Sequence, residues 1–294
     1  MFHSLKNIAL TGCLSILFSM PHLNVTAQVY SLSNPSNGQK FYLGGSIHVL
    51  RESDYPIPQT FYAALDSSDH LVFEADISQL AINYSILADG VYPKDSSLSD
   101  VLSPNVYQEV VNYCNASQLS LFPYKQFRPG LLGMLMEVMS LQELGFTSSG
   151  VEELLIDYNK NHHQQEVSYL ESAADQILMI QNIGKKRPEL YLKGVIQNCQ
   201  EMEVAIPSMI NAWRHGKRRF FNRANRAYAR QSAADYRLLI SSRNKVWTEN
   251  YLLPLLNKEK HPFIIVGAMH LYGKDGLLKM FKGQGFKVKK LPQS

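Results

Sequence analysis

The sequence predicts an α/β fold with a central mixed β-sheet, flanking helices and a long helical insertion that forms a cover over the strand ends. Short apolar, β-branched runs alternate with helical patterns in the first half, and strand patterns return only after a purely helical stretch. With 294 residues and 45% apolar composition, the chain can bury a full core. We therefore predict a single domain over residues 28–294, with the helical insertion at about 173–260.

A secretory signal peptide is predicted at residues 1–27. Lys6 gives a basic start, Ile8–Met20 is an apolar run too short for a comfortable membrane span, and a small-residue site ends at Ala27. The expected location is periplasmic or extracellular. The box Leu10–Cys13 matches the pattern before a lipid-modified cysteine, so membrane anchoring through Cys13 is an alternative. No later segment resembles a transmembrane span.

The first part of the mature chain alternates strand and helix patterns. Gln28–Ser31 is a short apolar run before a turn rich in Asn, Pro, Ser and Gly, and Lys40–Gly44 follows as a second strand. Gln59–Ser67 carries apolar residues on one helical face, and His70–Phe73 is a third strand.

The next part is predicted to be helical. Leu80–Ala88, Asn105–Leu119 and Val151–Lys160 show helical patterns, and Gly130–Leu144 begins after a proline and ends before a glycine. The methionines of that last helix are interpreted as core packing, because Met commonly fills irregular cores.

Strand patterns frame the helical insertion. Glu166–Leu170 precedes it, and Phe263–Val266 and Phe286–Lys289 follow it. Because the late strands carry the counterpart of a motif in the second strand, the helical middle is interpreted as an insertion or cover.

Charge and cysteine content limit the partners. The net charge of +4, from 29 basic and 25 acidic residues, is mild and does not indicate nucleic acid. Arg214–Arg230 concentrates seven basic residues, which is either a solvated helix face or a contact for an anionic surface. After signal cleavage only Cys114 and Cys199 remain, and they are either a disulfide or two buried thiols.

Four predicted strands end in side chains that bear chemistry: His48, Glu74, Glu171 and His270. Both histidines belong to a Gly-x-x-His motif that follows an apolar strand. Ligands bind at the carboxyl ends of strands in open α/β sheets, so these side chains are expected to converge. Two imidazoles with one or two carboxylates suit a divalent metal such as Zn, Mn, Fe or Co, and the remaining carboxylate suits a general base.

The sequence resembles the TraB/GumN family, also called the PrgY or Tiki-like group, over essentially the whole mature chain. Family members usually have Thr in place of Ser46 and Asp in place of Glu152. The matching segments are Leu43–His48, Val72–Glu74, Gly150–Glu152, Leu170-Glu171 with Gln176, Trp213 with Gly216, Arg243-Asn244, and Val266–Leu271 with Gly273 and Gly276.

The resemblance implies a metal-dependent site and a hydrolytic activity related to the Tiki-type metalloproteases. It implies His48, Glu74 and His270 as metal ligands, with Glu74, Glu171 and Arg243 in catalysis. Arg243 would hold a substrate carboxylate or stabilise an oxyanion, unless it forms a structural ion pair. The longer side chain of Glu152 leaves its role unassigned.

Three functions follow from these observations. The first is an exported metal-dependent hydrolase of peptide or amide bonds, acting on a peptide or small-molecule substrate. The second is a binding protein that sequesters a peptide signal or haem without turnover. The third is an ester hydrolase that uses His48 or His270 as general base without a metal.

Overall fold

The computed structural model describes residues 28–76, 90–146, 150–257 and 260–292. The predicted signal peptide, its Cys13 and the predicted helix Leu80–Ala88 lie outside the described residues. No helix in the described ranges is both long and apolar enough to cross a bilayer.

A single six-stranded sheet forms the centre of the protein, which confirms the predicted α/β class. Its strand order is β4-β3-β5-β2-β1-β6. The strands are β1 (Val29–Ser33), β2 (Lys40–Ser46), β3 (His70–Phe73), β4 (Glu166–Tyr169), β5 (Pro262–Gly267) and β6 (Lys287–Lys290).

The sheet is mixed, with four neighbouring parallel strands. β5 pairs in parallel with β2 on one side and with β3 on the other, and β3 pairs in parallel with β4. β1 runs antiparallel to both β2 and β6. The carboxyl ends of β4, β3, β5 and β2 therefore meet along one edge, in that order.

The second strand is longer than predicted. The sequence predicts Gly44 as its end, but Gly45 and Ser46 continue the ladder by pairing with Val266 and Gly267 of β5. The glycines permit close packing instead of breaking the strand. A Cβ atom at Gly44 would lie 2.9 Å from the Phe263 ring, and one at Gly45 would lie 2.7 Å from Cδ1 of Leu271.

Helices surround the sheet and form all the regular structure described between β4 and β5. The longest, α6, is followed by the strongly basic α7. The helices are α1 (Gln59–Asp66), α2 (Pro104–Ala116), α3 (Pro129–Glu143), α4 (Val151–His162), α5 (Ala173–Asn182), α6 (Pro188–Arg214), α7 (Arg218–Gln231), α8 (residues 233–256), α9 (Ala268–Leu271) and α10 (Leu277–Gly283).

Helix α8 is interrupted by two π-helical turns, at Arg237–Ser241 and Trp247–Leu252. The α-helical turn Ser242–Val246 lies between them and faces the strand ends. π-Turns inside α-helices occur frequently at functional sites. The helical insertion therefore covers the carboxyl edge of the sheet, as predicted.

Two hydrophobic clusters stabilise the fold. The larger one surrounds the sheet, and all six residues of β5 are buried in or beside it. The second lies among α2, α3 and α6 and contains Cys114 and Cys199, which are buried free thiols. Continuous apolar runs such as β5 are typical of parallel strands that are covered on both faces.

Candidate functional site

The four predicted side chains stand along the carboxyl edge in strand order. Glu171 follows β4, Glu74 follows β3 directly, His270 lies in α9 directly after β5, and His48 follows β2. The parallel pairing of these strands explains the convergence, because each strand delivers its next residues to the same edge.

Arg243 of α8 connects three of these four side chains. Its Nη2 donates to Oε2 of Glu74 at 2.5 Å and to Oε1 of Glu171 at 2.7 Å, and its Nε donates to Oε2 of Glu171 at 3.1 Å. Its Nη1 lies 3.1 Å from Nε2 of His270. The guanidinium thus forms the cationic centre of a carboxylate and imidazole cluster.

Trp247 and Leu239 hold the guanidinium in place. The Leu239 carbonyl accepts from Nη1 of Arg243 at 3.0 Å, and the Trp247 ring lies 4.4 Å from the guanidinium carbon. The indole Nε1 of Trp247 also donates to Oε2 of Glu171 at 3.1 Å. Both oxygens of Glu171 are therefore engaged by fixed donors.

Glu74 is buried and ionised. Its Oε1 accepts from the backbone amide of Gly267 at 2.6 Å, while Oε2 accepts from Arg243. Burial alone would raise the pKa of Glu74, but His270, Arg243, His48 and the Gly267 amide together lower it to about 2. Glu74 is consequently an anion across the physiological pH range.

Asn244 fixes the tautomer of His270. The amide Nδ2 of Asn244 donates to the carbonyls of His270 at 3.0 Å and Asp275 at 2.7 Å, so its Oδ1 must be the acceptor that faces Nδ1 of His270 at 2.6 Å. The proton therefore sits on Nδ1, and the Nε2 lone pair accepts from Nη1 of Arg243. Oε1 of Glu74 lies 3.7 Å from Nε2 and makes no hydrogen bond with it. Burial, aided by Arg243 and His48, lowers the pKa of His270 to about 3 against the attraction of Glu74.

His48 is held in the same way by Glu152. Its Nδ1 lies 2.8 Å from Oε1 of Glu152, which also accepts from the Ser46 hydroxyl at 2.5 Å. The Glu152 carboxylate raises the pKa of His48 to about 9, against the opposing effect of burial. The His48 side chain is nevertheless 61% exposed, so solvent screening weakens this attraction.

Gly267 separates His48 from Glu74. A Cβ atom at this position would lie 3.0 Å from Nε2 of His48 and 3.4 Å from Oε1 of Glu74. The two side chains therefore approach each other across a residue that has no side chain. All five predicted site residues are thus neighbours, although His48 touches the others only across this glycine.

Two residues of the site had no role assigned from sequence: Glu152 and Asn244. Both position a histidine through its Nδ1, and each belongs to a short motif whose partner lies far away in the chain. Gly150 is the signal that connects Glu152 to His48, since a Cβ atom there would lie 2.2 Å from the His48 carbonyl oxygen. The backbone before α4 packs so closely against the end of β2 that only glycine fits at position 150.

The donor chemistry of the cluster fits a divalent metal. Both histidines have Nδ1 bound to a side-chain oxygen, which is the arrangement that metal-binding histidines adopt. Nε2 of His270 lies 3.7 Å from Oε1 of Glu74, and Nε2 of His48 and the same oxygen both border the position that a Cβ atom of Gly267 would take. Within the described ranges, no three His, Cys, Asp or Glu side chains are already grouped as metal ligands. Arg243 contacts Nε2 of His270 and Glu74 in this arrangement, so metal binding would require that contact to open.

A cleft of about 350 Å³ adjoins the cluster. Arg243, Glu171 and Trp247 form its polar end next to the strand edge. Its remaining wall is largely apolar and consists of Leu170, Met179, Leu238, Val246 and Tyr251, with Asp175 and Ser242 as additional polar residues.

The fold and the site together define a mixed α/β protein in which two Gly-x-x-His histidines, strand-end glutamates and an arginine form one cluster. The chain belongs to the TraB/PrgY/gumN family, whose model matches residues 29–290. This match confirms the resemblance predicted from the motifs.

Two similar proteins carry the same name in different bacteria. The uncharacterized protein YbaP of Escherichia coli (strain K12) is 24% identical over 249 residues, which cover 84% of this chain and 89% of that protein. The uncharacterized protein YbaP of Shigella flexneri is 23% identical over 242 residues, which cover 82% and 87% respectively. No solved structure matches the chain.

Proposed function

We propose that this protein is an exported hydrolase of peptide or amide bonds that uses a divalent metal held by His48, Glu74 and His270. The observation that supports this most strongly is the shared orientation of the two histidines. In each, a side-chain oxygen binds Nδ1 and leaves Nε2 on the side of the Glu74 carboxylate.

A bound divalent metal would polarise the scissile carbonyl and lower the pKa of water. The protein's own side chains would hold the metal and position the substrate. Glu74 is an anion held by the Gly267 amide, and with a pKa near 2 it suits a ligand better than a proton carrier. Manganese, cobalt, zinc and iron all accept this mixture of nitrogen and oxygen donors.

Glu171 and Arg243 are proposed to act on the substrate, because both line the adjoining cleft. A substrate carboxylate or a developing oxyanion would bind the Arg243 guanidinium. Glu171, released from part of its contact with Arg243, would then accept a proton as general base. The apolar wall of the cleft favours a substrate with an apolar group beside the cleaved bond.

A second candidate is hydrolysis without a metal, with the His48–Glu152 pair as general base. One observation favours it. Arg243 already donates to Oε2 of Glu74 and lies at hydrogen-bond distance from Nε2 of His270, which are atoms that a metal would need as ligands. In that case Arg243 would supply the positive charge at the site, and His48, which is the exposed histidine, would accept the proton in its neutral form. Because the pKa of His48 is raised to about 9, hydrolysis by this route would increase as the pH rises toward 9.

One experiment separates these candidates. Metal content is measured on protein purified without chelators, and peptide and ester hydrolysis are measured for wild type, His48→Ala, His270→Ala and the exposed control His261→Ala. Stoichiometric metal and peptide cleavage that are both lost in the two site variants, and kept in the control, support the metal-dependent hydrolase.

Hydrolysis by metal-free protein that depends on His48 would favour the second candidate instead. Folded protein that retains no metal and cleaves nothing under any metal supplement would contradict both candidates, and would favour a protein that binds a peptide or haem without cleaving it.

Export is tested separately, by mass spectrometry of the mature N-terminus after expression of the whole chain in a Gram-negative host. Cleavage after Ala27 is expected.

A further inference from the structure

A second cleft, of about 410 Å³, lies between α7 and the segment that follows α9. Two basic side chains line each wall. Arg218 and Arg226 extend from α7, and Lys274 and Lys279 come from the loop after α9 and from α10. Its volume is in the range typical of small-molecule sites.

The sequence of α7 places its contribution on one face. Arg218, Asn222 and Arg226 are spaced four residues apart, so they form one stripe along the helix, and all three line the cleft. Two other basic residues of α7, Arg219 and Arg223, line a neighbouring groove, which Arg218 also borders. Arg226 thus lines only the cleft, whereas Arg219 and Arg223 line only the neighbouring groove.

The four cations of the cleft lack acidic partners. In the part of the chain that the structure describes, none of them forms an ion pair, and the cleft lining contains no carboxylate. Asp275 is not among the lining residues, although it interacts with the hydroxyl of Tyr236, which does line the cleft. A concave surface lined by charges of one sign concentrates the electric field and attracts counter-ions.

The floor of the cleft is rigid. Asn225 is buried and donates through Nδ2 to the carbonyls of Met269 at 2.9 Å and Tyr272 at 2.8 Å, which lie on either side of His270 in sequence. Gly273, which also lines the cleft, has a φ of +96° that favours glycine, so the turn there is specified by the sequence. A fixed floor between two charged walls lowers the ordering cost of binding an anion.

We propose that this cleft binds a phosphate ester through Arg218, Arg226, Lys274 and Lys279. A phosphate group accepts hydrogen bonds from several cations at once, and arginine matches its geometry in a bidentate manner. The same chemistry is offered by a soluble phosphorylated metabolite and by the headgroup of an anionic phospholipid. This site is separate from the histidine cluster and does not depend on hydrolytic activity.

The test uses glycerol 3-phosphate as a soluble probe and the full mature chain. Binding is measured by calorimetry at low ionic strength for wild type, for the cleft variant Arg226→Gln/Lys279→Gln and for the control variant Arg219→Gln/Arg223→Gln. Each double variant removes two positive charges, but the control removes both from residues of α7 that do not line the cleft. The cleft variant is expected to bind about tenfold more weakly or worse, because two charge-assisted contacts are lost. The control is expected to stay within about twofold of wild type, because it changes only the long-range field.

A vesicle arm identifies the source of the phosphate. Flotation with phosphatidylglycerol vesicles that is displaced by glycerol 3-phosphate supports a lipid headgroup in the cleft. Binding of glycerol 3-phosphate without flotation supports a soluble ligand. Equal loss in both double variants would show that only general charge matters, and would overturn the proposal. Absence of wild-type binding to either probe would overturn it as well.

Discussion

Asn244 determines which ring nitrogen of His270 carries the hydrogen. Because its amide nitrogen is committed to two carbonyl oxygens, its own oxygen can only accept, and it does so 2.6 Å from Nδ1 of His270. The carboxyl edge of the sheet therefore carries a neutral imidazole whose Nε2 lone pair is available to a metal, to a proton or to Arg243.

Asn244→Asp is expected to raise the pKa of His270 well above its value in the wild type. The new carboxylate would face Nδ1 and favour the imidazolium, whereas burial keeps the wild-type pKa near 3. The variant also removes the donor to two carbonyls, which is expected to lower the free energy of unfolding by about 1–3 kcal/mol per unsatisfied group. Imidazole 15N shifts measured against pH check the first effect and urea unfolding checks the second, with exposed Asn115→Asp as control. An unchanged His270 titration would refute the tautomer assignment.

Glu152→Gln is expected to return the pKa of His48 from about 9 toward its ordinary value of 6.5. The raised folded-state pKa means that the contact stabilises the fold fully below about pH 6.5, and that this contribution is lost as the pH rises through about 9. The variant should therefore lose this part of the pH dependence of stability. NMR titration of metal-free protein is the measurement, and Glu153→Gln on the same helix is the control. If both variants shift His48 equally, Glu152 is not its partner.

Gly267→Ala is expected to impair the site while leaving the fold intact. The added methyl group would lie 3.0 Å from Nε2 of His48, which is the end of an exposed and movable side chain, so His48 would swing away from Glu74. Metal affinity and hydrolysis are expected to fall by about 10- to 100-fold, as when the orientation of a ligand is lost. Gly283→Ala is the matched control, since a Cβ atom there would meet nothing within 4 Å. Full activity in Gly267→Ala would place the reaction away from His48.

Arg243→Gln is expected to destabilise the protein at neutral pH by about 3–5 kcal/mol, because Glu74 and Glu171 would be left as buried carboxylates without a cation. In the wild type the lowered pKa of Glu74 stabilises the fold above pH 4.5, and this contribution is lost as the pH falls toward about 2. In the variant, the dependence of the free energy of unfolding on pH is expected to have the opposite sign. Without Arg243, burial is expected to raise the pKa of Glu74, so the protein becomes more stable as the pH falls and this carboxylate becomes neutral.

Urea unfolding of Arg243→Gln between pH 4 and pH 8 measures this reversal, with exposed Arg237→Gln on the same helix as control. Added divalent metal should restore part of the lost stability, because it would neutralise the same carboxylates. If the free energy of unfolding of Arg243→Gln decreases as the pH is lowered, as it does in the wild type, Arg243 is not the main counter-charge of Glu74.

Periodicity and motif spacing predicted much of this molecule. The apolar run Phe263–Val266 and its following His270 were recognisable because a strand buried on both faces is continuously apolar. The matched Gly-x-x-His motifs then suggested that His48 lies near His270, and the parallel pairing of β2 with β5 places both at one edge. Strand ends were less predictable, since Gly45 looks like a strand terminus until its partner Val266 is known.

The remaining features depend on tertiary contacts that have no local pattern. Nothing within α4 shows that Glu152 will face His48, because that contact arises from packing of Gly150 on the His48 carbonyl. Likewise, the π-turns on either side of Arg243 leave no periodic signature, and nothing in the local sequence shows that its guanidinium contacts both Glu74 and Glu171. Side-chain chemistry was thus predictable residue by residue, whereas the partners of each residue were not.

The central position of β5 has a consequence for the order of assembly during synthesis. One pair of strands, β1 and β2, is made early, a second pair, β3 and β4, is completed next, and neither pair touches the other except through β5. A growing chain must therefore hold two separate half-sheets, one with His48 and the other with Glu74 and Glu171, until Pro262–Gly267 emerges. Both half-sheets have open edges during that interval, so the nascent chain is exposed to aggregation until its next-to-last strand inserts between them.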